Sequence, residues 1–326
     1  MAVWDKGRKI CPKATTNRED GTNMKGNQPT TFVELVQLCK KFDCRISDFA
    51  LTMGAEMSGK SKDLLFEEMR ILLKTDKLAV EYGLSTSDLT RGSLAGMNAK
   101  LLASDQHYRL LGPLGHRAIC IALAIVEENA RGKHPIVTCP TCGAAGVLPA
   151  IIIALGEDKS LHISEEAQVM SMFTARSVQG IIASVSSVSG AKHGCQAEIG
   201  SAAAMAAAAC VELLGGTSEM CAHAVALVIK SLEGLVCDPV AGYVEIPCIK
   251  RNAFGAVTAL ASASMALAGI QSFIPVDEVL VSMKQIGEDM DEKYKETSKG
   301  GLAITKTAIR YEAEQKKAQP FKAKQH

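Results

Sequence analysis

Apolar positions recur every three or four residues along most of this chain. Over 31–42, Phe32, Leu35, Val36, Cys39 and Phe42 draw one stripe, the spacing of an amphipathic helix. A second helical stretch runs through Leu64, Leu65, Met69, Leu72 and Leu73. The same period predicts helices over 117–130, 165–188, 201–214 and 218–230, the last two separated by a Gly215-Gly216 stop and a Thr217 N-cap. Two more are expected over 252–268, closed by Gly269, and over 278–286, capped by Asp277 and stopped by Gly287. Alternation with period two, the mark of a half-buried strand, is nearly absent, so the pattern predicts an all-α, multi-helix domain. No internal repeat recurs at a fixed spacing.

The helical pattern is framed by polar ends. Residues 1–30, with Pro, Gly and Asn, and residues 310–326, rich in Lys and Gln, read as disordered tails around a domain at 31–309. The first tail carries Lys6, Arg8, Lys9, Lys13, Arg18 and Lys25 and has no apolar run, which excludes a secretory signal and leads us to expect a cytoplasmic, reducing location. Two long uncharged runs, 135–156 and 252–276, are the only segments that invite a membrane reading. The first is broken by Pro140 and Pro149 with Gly143 and Gly146 between, and the second is mostly Ala, Ser and Gly, so both are expected to be buried core. Composition agrees: 47% of residues are hydrophobic but only 4% aromatic, which favours close-packed small-residue helices. Lys and Arg total 36 against 35 Asp and Glu, so no basic field exists to hold nucleic acid.

Eleven cysteines remain to be explained. In a reducing compartment they are thiols, metal ligands or catalytic groups rather than disulfides. Cys39, Cys44, Cys120, Cys210 and Cys221 sit inside apolar helical patterns and read as core thiols. Cys139 and Cys142 form a CxxC, but zinc would need a second ligand pair and a thioredoxin-like site would need a βαβ context; neither is present. Cys195, Cys237 and Cys248 differ, because all three lie beside Gly or Pro at helix boundaries, separated by 42 and then 11 residues. Three thiolates can hold a [4Fe–4S] cube while one iron stays without a protein thiolate, although spacing alone favours unrelated loop thiols.

Several segments in the same order carry a more specific signal. They are Pro140-Thr-Cys-Gly-Ala-Ala-Gly-Val-Leu-Pro149, Gly194-Cys-Gln-Ala-Glu-Ile-Gly200 followed by Met205-Ala-Ala-Ala, Gly234-Leu-Val-Cys-Asp-Pro-Val-Ala-Gly242, Pro247-Cys-Ile-Lys-Arg-Asn-Ala253 and Lys295-Glu-Thr-Ser-Lys-Gly-Gly-Leu-Ala303. In these the sequence resembles the α chain of the iron–sulfur-dependent L-serine dehydratases, over roughly 31–303. The resemblance implies an all-helical catalytic domain in which Cys195, Cys237 and Cys248 ligate a [4Fe–4S] cluster. It further implies β-elimination of L-serine to pyruvate and ammonia without pyridoxal phosphate, and a separate β chain as partner. The sequence departs from the family where Lys192 and His193 replace an acidic and a small residue. It also lacks the terminal cysteine of some single-chain relatives, since its last cysteine is Cys248.

Candidates for handling the substrate follow from residue chemistry. Arg251 and Asn252 can engage a carboxylate, Arg through its planar fork; the plain alternative is a structural Arg and a capping Asn at a helix start. Thr141 and Gly143 can bound the substrate with a hydroxyl and a backbone N–H, or simply form a turn. Lys100, in Arg91-Gly-Ser-Leu-Ala-Gly-Met-Asn-Ala-Lys100, either approaches the site or is a solvated helix lysine. His193 invites a role as base, but as a departure from the family it reads as an ordinary loop histidine, leaving the base to another residue or to the partner chain. L-Cysteine desulfuration, L-threonine dehydration and a non-catalytic cluster-binding role stay open as alternatives.

Overall fold

The computed structural model describes residues 28–105 and 110–318, and within them helices predominate from the first residues to the last. Its first half forms α1 (Phe32–Phe42), α2 (Ile46–Ser58), α3 (Lys62–Ser85), α4 (Asn98–Ser104), α5 (Gly112–Arg131), α6 (Val147–Glu157) and α7 (Glu165–Val185). The second half forms α8 (Gly190–His193), α9 (Ser201–Leu213), α10 (Ser218–Leu232), α11 (Cys248–Leu267), α12 (Val276–Asp289) and α13 (Lys306–Ala318). No strand forms among the described residues; two isolated bridges, Leu89 with Gly96 and Cys237 with Lys295, are the only extended pairings there. The all-α expectation therefore holds. No helix among the described residues is long and apolar enough to cross a membrane.

The architecture is centred on α9. Every residue from Ser201 to Leu213 is buried, and α6, α7, α10 and α11 surround it. A helix apolar all round belongs inside a fold, and its run of alanines lets four neighbours approach on all sides. Close approach recurs elsewhere. A Cβ on Gly83 of α3 would lie 2.4 Å from the Ala124 carbonyl oxygen of α5, and one on Gly146 would lie 2.3 Å from that of Ala122.

Local chemistry explains the helix starts. Thr31 accepts from the Glu34 backbone N–H while Glu34 accepts from that of Thr31, a capping box at the α1 start. Ser61, Ser164 and Thr217 cap α3, α7 and α10 in the usual way. Asp277, expected to cap its own helix, instead accepts from Phe32 N at 2.8 Å and Val33 N at 3.1 Å, so it caps α1 from 245 residues away. Helix α12 starts after Pro275, and Gly287, expected to stop it, lies inside it. Buried carboxylates serve other N-termini: Glu212 accepts from Ile46 N, Ser47 N and Thr174 Oγ1, and Glu127 from Asn98 N and Ala99 N. Each places negative charge where the orphan N–H groups of a helix end converge.

The pattern does not predict α2, α4, α6, the single turn α8 or α13. Helix α6 is buried along nearly its whole length and so shows no stripe. Helix α13 runs through the segment expected to be a polar tail from 310, and Tyr311 anchors it by donating to the Gly92 carbonyl oxygen. The expected first tail lies, up to residue 27, outside the described residues.

Candidate functional site around three cysteines

The N-terminal end of α9 is where the chemistry gathers. Gly194 has φ +75°, and a Cβ there would lie 2.6 Å from Met290 Sδ, so only glycine lets the chain turn into Cys195. A π-helical turn, Gln196–Gly200, then widens the backbone before α9 begins. Such bulges re-aim side chains and are frequent at functional sites. Gln196 fixes the turn: its backbone N–H donates to the Leu235 carbonyl oxygen, and its side chain accepts from Gly234 N and donates to the Met283 carbonyl oxygen. Those bonds hold the Cys195 turn against the segment leading to Cys237.

Cys237 is clasped by a later stretch of chain. Its N–H donates to the Tyr294 carbonyl oxygen at 2.8 Å, and its carbonyl oxygen accepts from Glu296 N at 2.8 Å. Asp238 accepts from Leu302 N at 2.7 Å, and Ser298 donates to the Pro239 carbonyl oxygen at 2.7 Å. Residues 294–302 thus form a strap over the Cys237 segment. Cys248 is the first residue of α11, which starts four residues earlier than the sequence pattern predicts. Asn252 is consequently no cap. Buried in that helix, it donates to the Cys248 carbonyl oxygen at 2.9 Å and the Gly143 carbonyl oxygen at 2.7 Å, and accepts from Gly146 N at 3.0 Å. It therefore ties the Thr141–Gly146 turn to the start of α11.

All three cysteines are buried and electrostatically within reach of one another: Cys195 and Cys248 act on Cys237, and Cys195 acts on Cys248. Burial pushes Cys195 up to about 11 and Cys248 up to about 12, and it carries Cys237 further still, with Cys195 and Glu198 adding repulsion. Arg251 pulls Cys195 and Cys248 the other way. Its guanidinium donates to the Val236 carbonyl oxygen at 2.6 Å and to Asp238 at 3.2 Å, so it braces the Cys237 segment. Among the described residues, no three His, Cys, Asp or Glu side chains converge as they would around a single metal ion.

One site residue escaped the sequence reading. Glu198, inside the π turn, accepts from the Thr141 hydroxyl at 2.7 Å. A Cβ on Gly190 would lie 2.7 Å from its Oε2 and 3.1 Å from Cys237 Sγ, which places carboxylate and sulfur around one gap. Burial raises its pKa, the Thr141 bond lowers it, Glu296 raises it and Arg251 lowers it. The signal was present in the sequence: between Gly194 and Gly216 only Glu198 and Glu212 interrupt an uncharged run.

The other candidates are placed as follows. Thr141 joins the site through Glu198, and Gly143 lies beside the same carboxylate. Lys100 is engaged at the end of α3, donating to the Ser85 carbonyl oxygen at 3.1 Å and Ser87 Oγ at 2.8 Å. His193 packs its Cβ against Gly287 and pairs its Nδ1 with Ser186 Oγ at 3.1 Å; burial lowers its pKa. Cys139 and Cys142 are both free thiols, and burial beside Asp76 keeps Cys139 well above the ordinary thiol range.

Comparison with known proteins matches this architecture to one family. The family model for the serine dehydratase alpha chain aligns with residues 13–303. A probable L-serine dehydratase alpha chain of Bacillus subtilis is 43% identical over 275 residues, covering 84% of this chain and 91% of that one. The L-serine dehydratase alpha chain of Peptoniphilus asaccharolyticus is 35% identical over 278 residues, covering 84% and 94%. L-serine dehydratase 1 of Escherichia coli is 34% identical over 278 residues, covering 83% of this chain but only 60% of its own length. With the match spanning the π turn, the clasped Cys237 segment and the start of α11 alike, the chain belongs to the serine dehydratase alpha-chain family.

Proposed function

We propose that this chain is the catalytic subunit of an L-serine ammonia-lyase, converting L-serine to pyruvate and ammonia with a [4Fe–4S] cluster on Cys195, Cys237 and Cys248. The observation that carries the reading is the gathering of three buried free thiols at one end of α9, in a chain whose relatives are named L-serine dehydratases. The donor set fits a cluster. Thiols raised this far by burial are neutral on their own, and iron would supply the positive charge that stabilises three thiolates together. In a cube each thiolate meets a different iron, so the three sulfurs need not surround one point. Gly190 leaves room beside Cys237 where any side chain would intrude.

When bound, the cluster would supply a Lewis-acidic iron, without a protein thiolate, to take up charge as the hydroxyl departs. The protein does the rest. Arg251 holds the Cys237 segment and faces Cys195 with its positive charge; Asn252 locks the Thr141 turn to α11; Thr141 orients Glu198. Overall, L-serine loses the α-proton and the β-hydroxyl as water; the resulting aminoacrylate tautomerises to an imine, which water hydrolyses to pyruvate and ammonia. A separate β chain is the expected partner, since the E. coli relative has about two fifths of its length outside the match.

Anaerobic loading with iron and sulfide, followed by a pyruvate assay on L-serine, L-cysteine and L-threonine, tests the reading. L-Serine is expected to be the fastest of the three. A loaded protein that turns over L-cysteine best would make the chain a desulfidase, and one that turns over none, with its partner present, would refute an enzymatic role.

A further inference from the structure

Glu198, partly buried, is held by fewer donors than the four fully buried glutamates. Glu127, Glu212 and Glu245 each receive several donors, two of them or more from backbone N–H groups, and Glu128 is bonded by Arg131 and His134. These carboxylates are saturated, and each visibly holds a piece of fold together. Glu198 receives one donor, the Thr141 hydroxyl on Oε1; its Oε2 accepts no hydrogen bond among the described residues. Both oxygens face glycine. Gly143 would bring a Cβ within 3.4 Å of Oε1, and Gly190 would bring one within 2.7 Å of Oε2.

The nearest positive charge is already engaged. Arg251 is held by the Val236 carbonyl oxygen and by Asp238, while Glu296 adds a second negative charge toward Glu198. Oε2 is not among the enclosed unpartnered oxygens, so a group entering the gap can reach it, and a carboxylate partly desolvated by burial favours a cation there. Among the groups of an α-amino acid only the ammonium carries positive charge, and it can donate to Oε2 in the gap that Gly190 leaves beside Cys237. We propose that Glu198 receives the α-ammonium of the amino-acid substrate and so fixes the substrate's orientation against the three cysteines. This inference rests on the L-serine reading above.

The test compares two ligands that differ only in that group. L-Serine and 3-hydroxypropionate share the carboxylate and the β-hydroxyl, but the second lacks the amine. Their affinities for the cluster-loaded enzyme with its partner chain are read from the change each causes in the visible spectrum, alongside kcat and KM. Glu198→Gln is expected to load the cluster, to weaken L-serine by about tenfold to a hundredfold, the worth of a charge-assisted hydrogen bond, and to leave 3-hydroxypropionate nearly unchanged. Should Glu198→Gln load poorly, Glu198→Asp carries the test, because withdrawing the carboxylate must still weaken L-serine more than its deaminated analogue. Equal weakening of both ligands overturns the proposal. So does a loss confined to kcat, which would make Glu198 a proton carrier. Wild-type enzyme without L-serine turnover refutes the function itself; turnover with unchanged ligand selectivity in the variants refutes only the ammonium role.

Discussion

Cysteine side chains in this protein divide by where the backbone holds them. Cys39 and Cys210 lie inside helices, whereas Cys195 leads into the π turn, Cys237 is bonded on both sides by the 294–302 strap, and Cys248 opens α11. Serine in place of any of the last three should abolish activity and most iron–sulfur absorbance, whereas Cys39→Ser and Cys210→Ser should preserve both; a loaded and active Cys237→Ser protein would contradict the assignment. Asp76 gives a second prediction, independent of the site. Burial pushes its carboxyl up to about 8 against a single N–H from Val137 at 3.3 Å. An unfolded Asp releases its proton near pH 4, so between about pH 4 and 8 the folded state keeps a proton that the unfolded state has lost. Stability from this residue is therefore present below pH 4 and declines as pH rises toward 8. Asp76→Asn keeps an acceptor for Val137 and cannot ionise, so its advantage in Tm over the parent should grow steadily across that window; a constant difference would show that Asp76 does not titrate there. Residue types were legible in the sequence to the extent that spacing marks them. The three cysteines stand out by their Gly and Pro neighbours, whereas for Arg251 the sequence leaves a carboxylate ligand and a structural Arg both open, and the structure gives it bonds to Val236 and Asp238. Glu198 is marked in the sequence only as one of two charges in a long uncharged run, and Glu212 shares that mark; what separates them is how many donors reach each in the fold.

A single apolar stripe is enough to predict α1, which buries Phe32, Leu35 and Cys39 and turns its other face to solvent. Helix α6 is surrounded on all sides and has no polar face to set a period; α9 is enclosed in the same way, but its alanine run and the Gly215-Gly216 stop mark it as a helix. The start of α11 was placed late because Cys248 to Arg251 look like a loop beside Pro247, and Asp277 was assigned to the wrong helix because a cap can serve a distant neighbour as well as its own. Between elements, glycine measures the separation. Gly83→Ala would drive a Cβ into the α5 backbone at Ala124 and should cost about 1–3 kcal/mol, read as a lower denaturation midpoint. Gly180 sits in α7 with nothing within 4 Å of an added Cβ, so Gly180→Ala should instead stabilise by about 0.5–1 kcal/mol through helix propensity. Equal effects from the two would contradict the packing described between α3 and α5.

At the scale of the whole molecule, the family relation predicts dependence on a second chain. Some relatives carry this region as three fifths of a longer protein. The isolated chain, loaded with its cluster, is expected to turn over L-serine weakly or not at all and to be rescued by a β chain that closes the site against water and orients the substrate. Full activity of the purified chain, proportional to its concentration and unaffected by a β chain, would overturn that dependence. The strap over Cys237 carries a further consequence, one of timing. A ribosome delivers Cys195 more than a hundred residues before Leu302, whose N–H secures Asp238. At about 5–20 residues per second, the earliest thiol waits several seconds or more for the chain that completes its surroundings. Helix α1 waits still longer for Asp277, its cap. On the proposed reading, iron delivered to the nascent chain would meet thiols in an open, unfinished cradle, and cluster insertion is expected only after the 294–302 strap has left the ribosome.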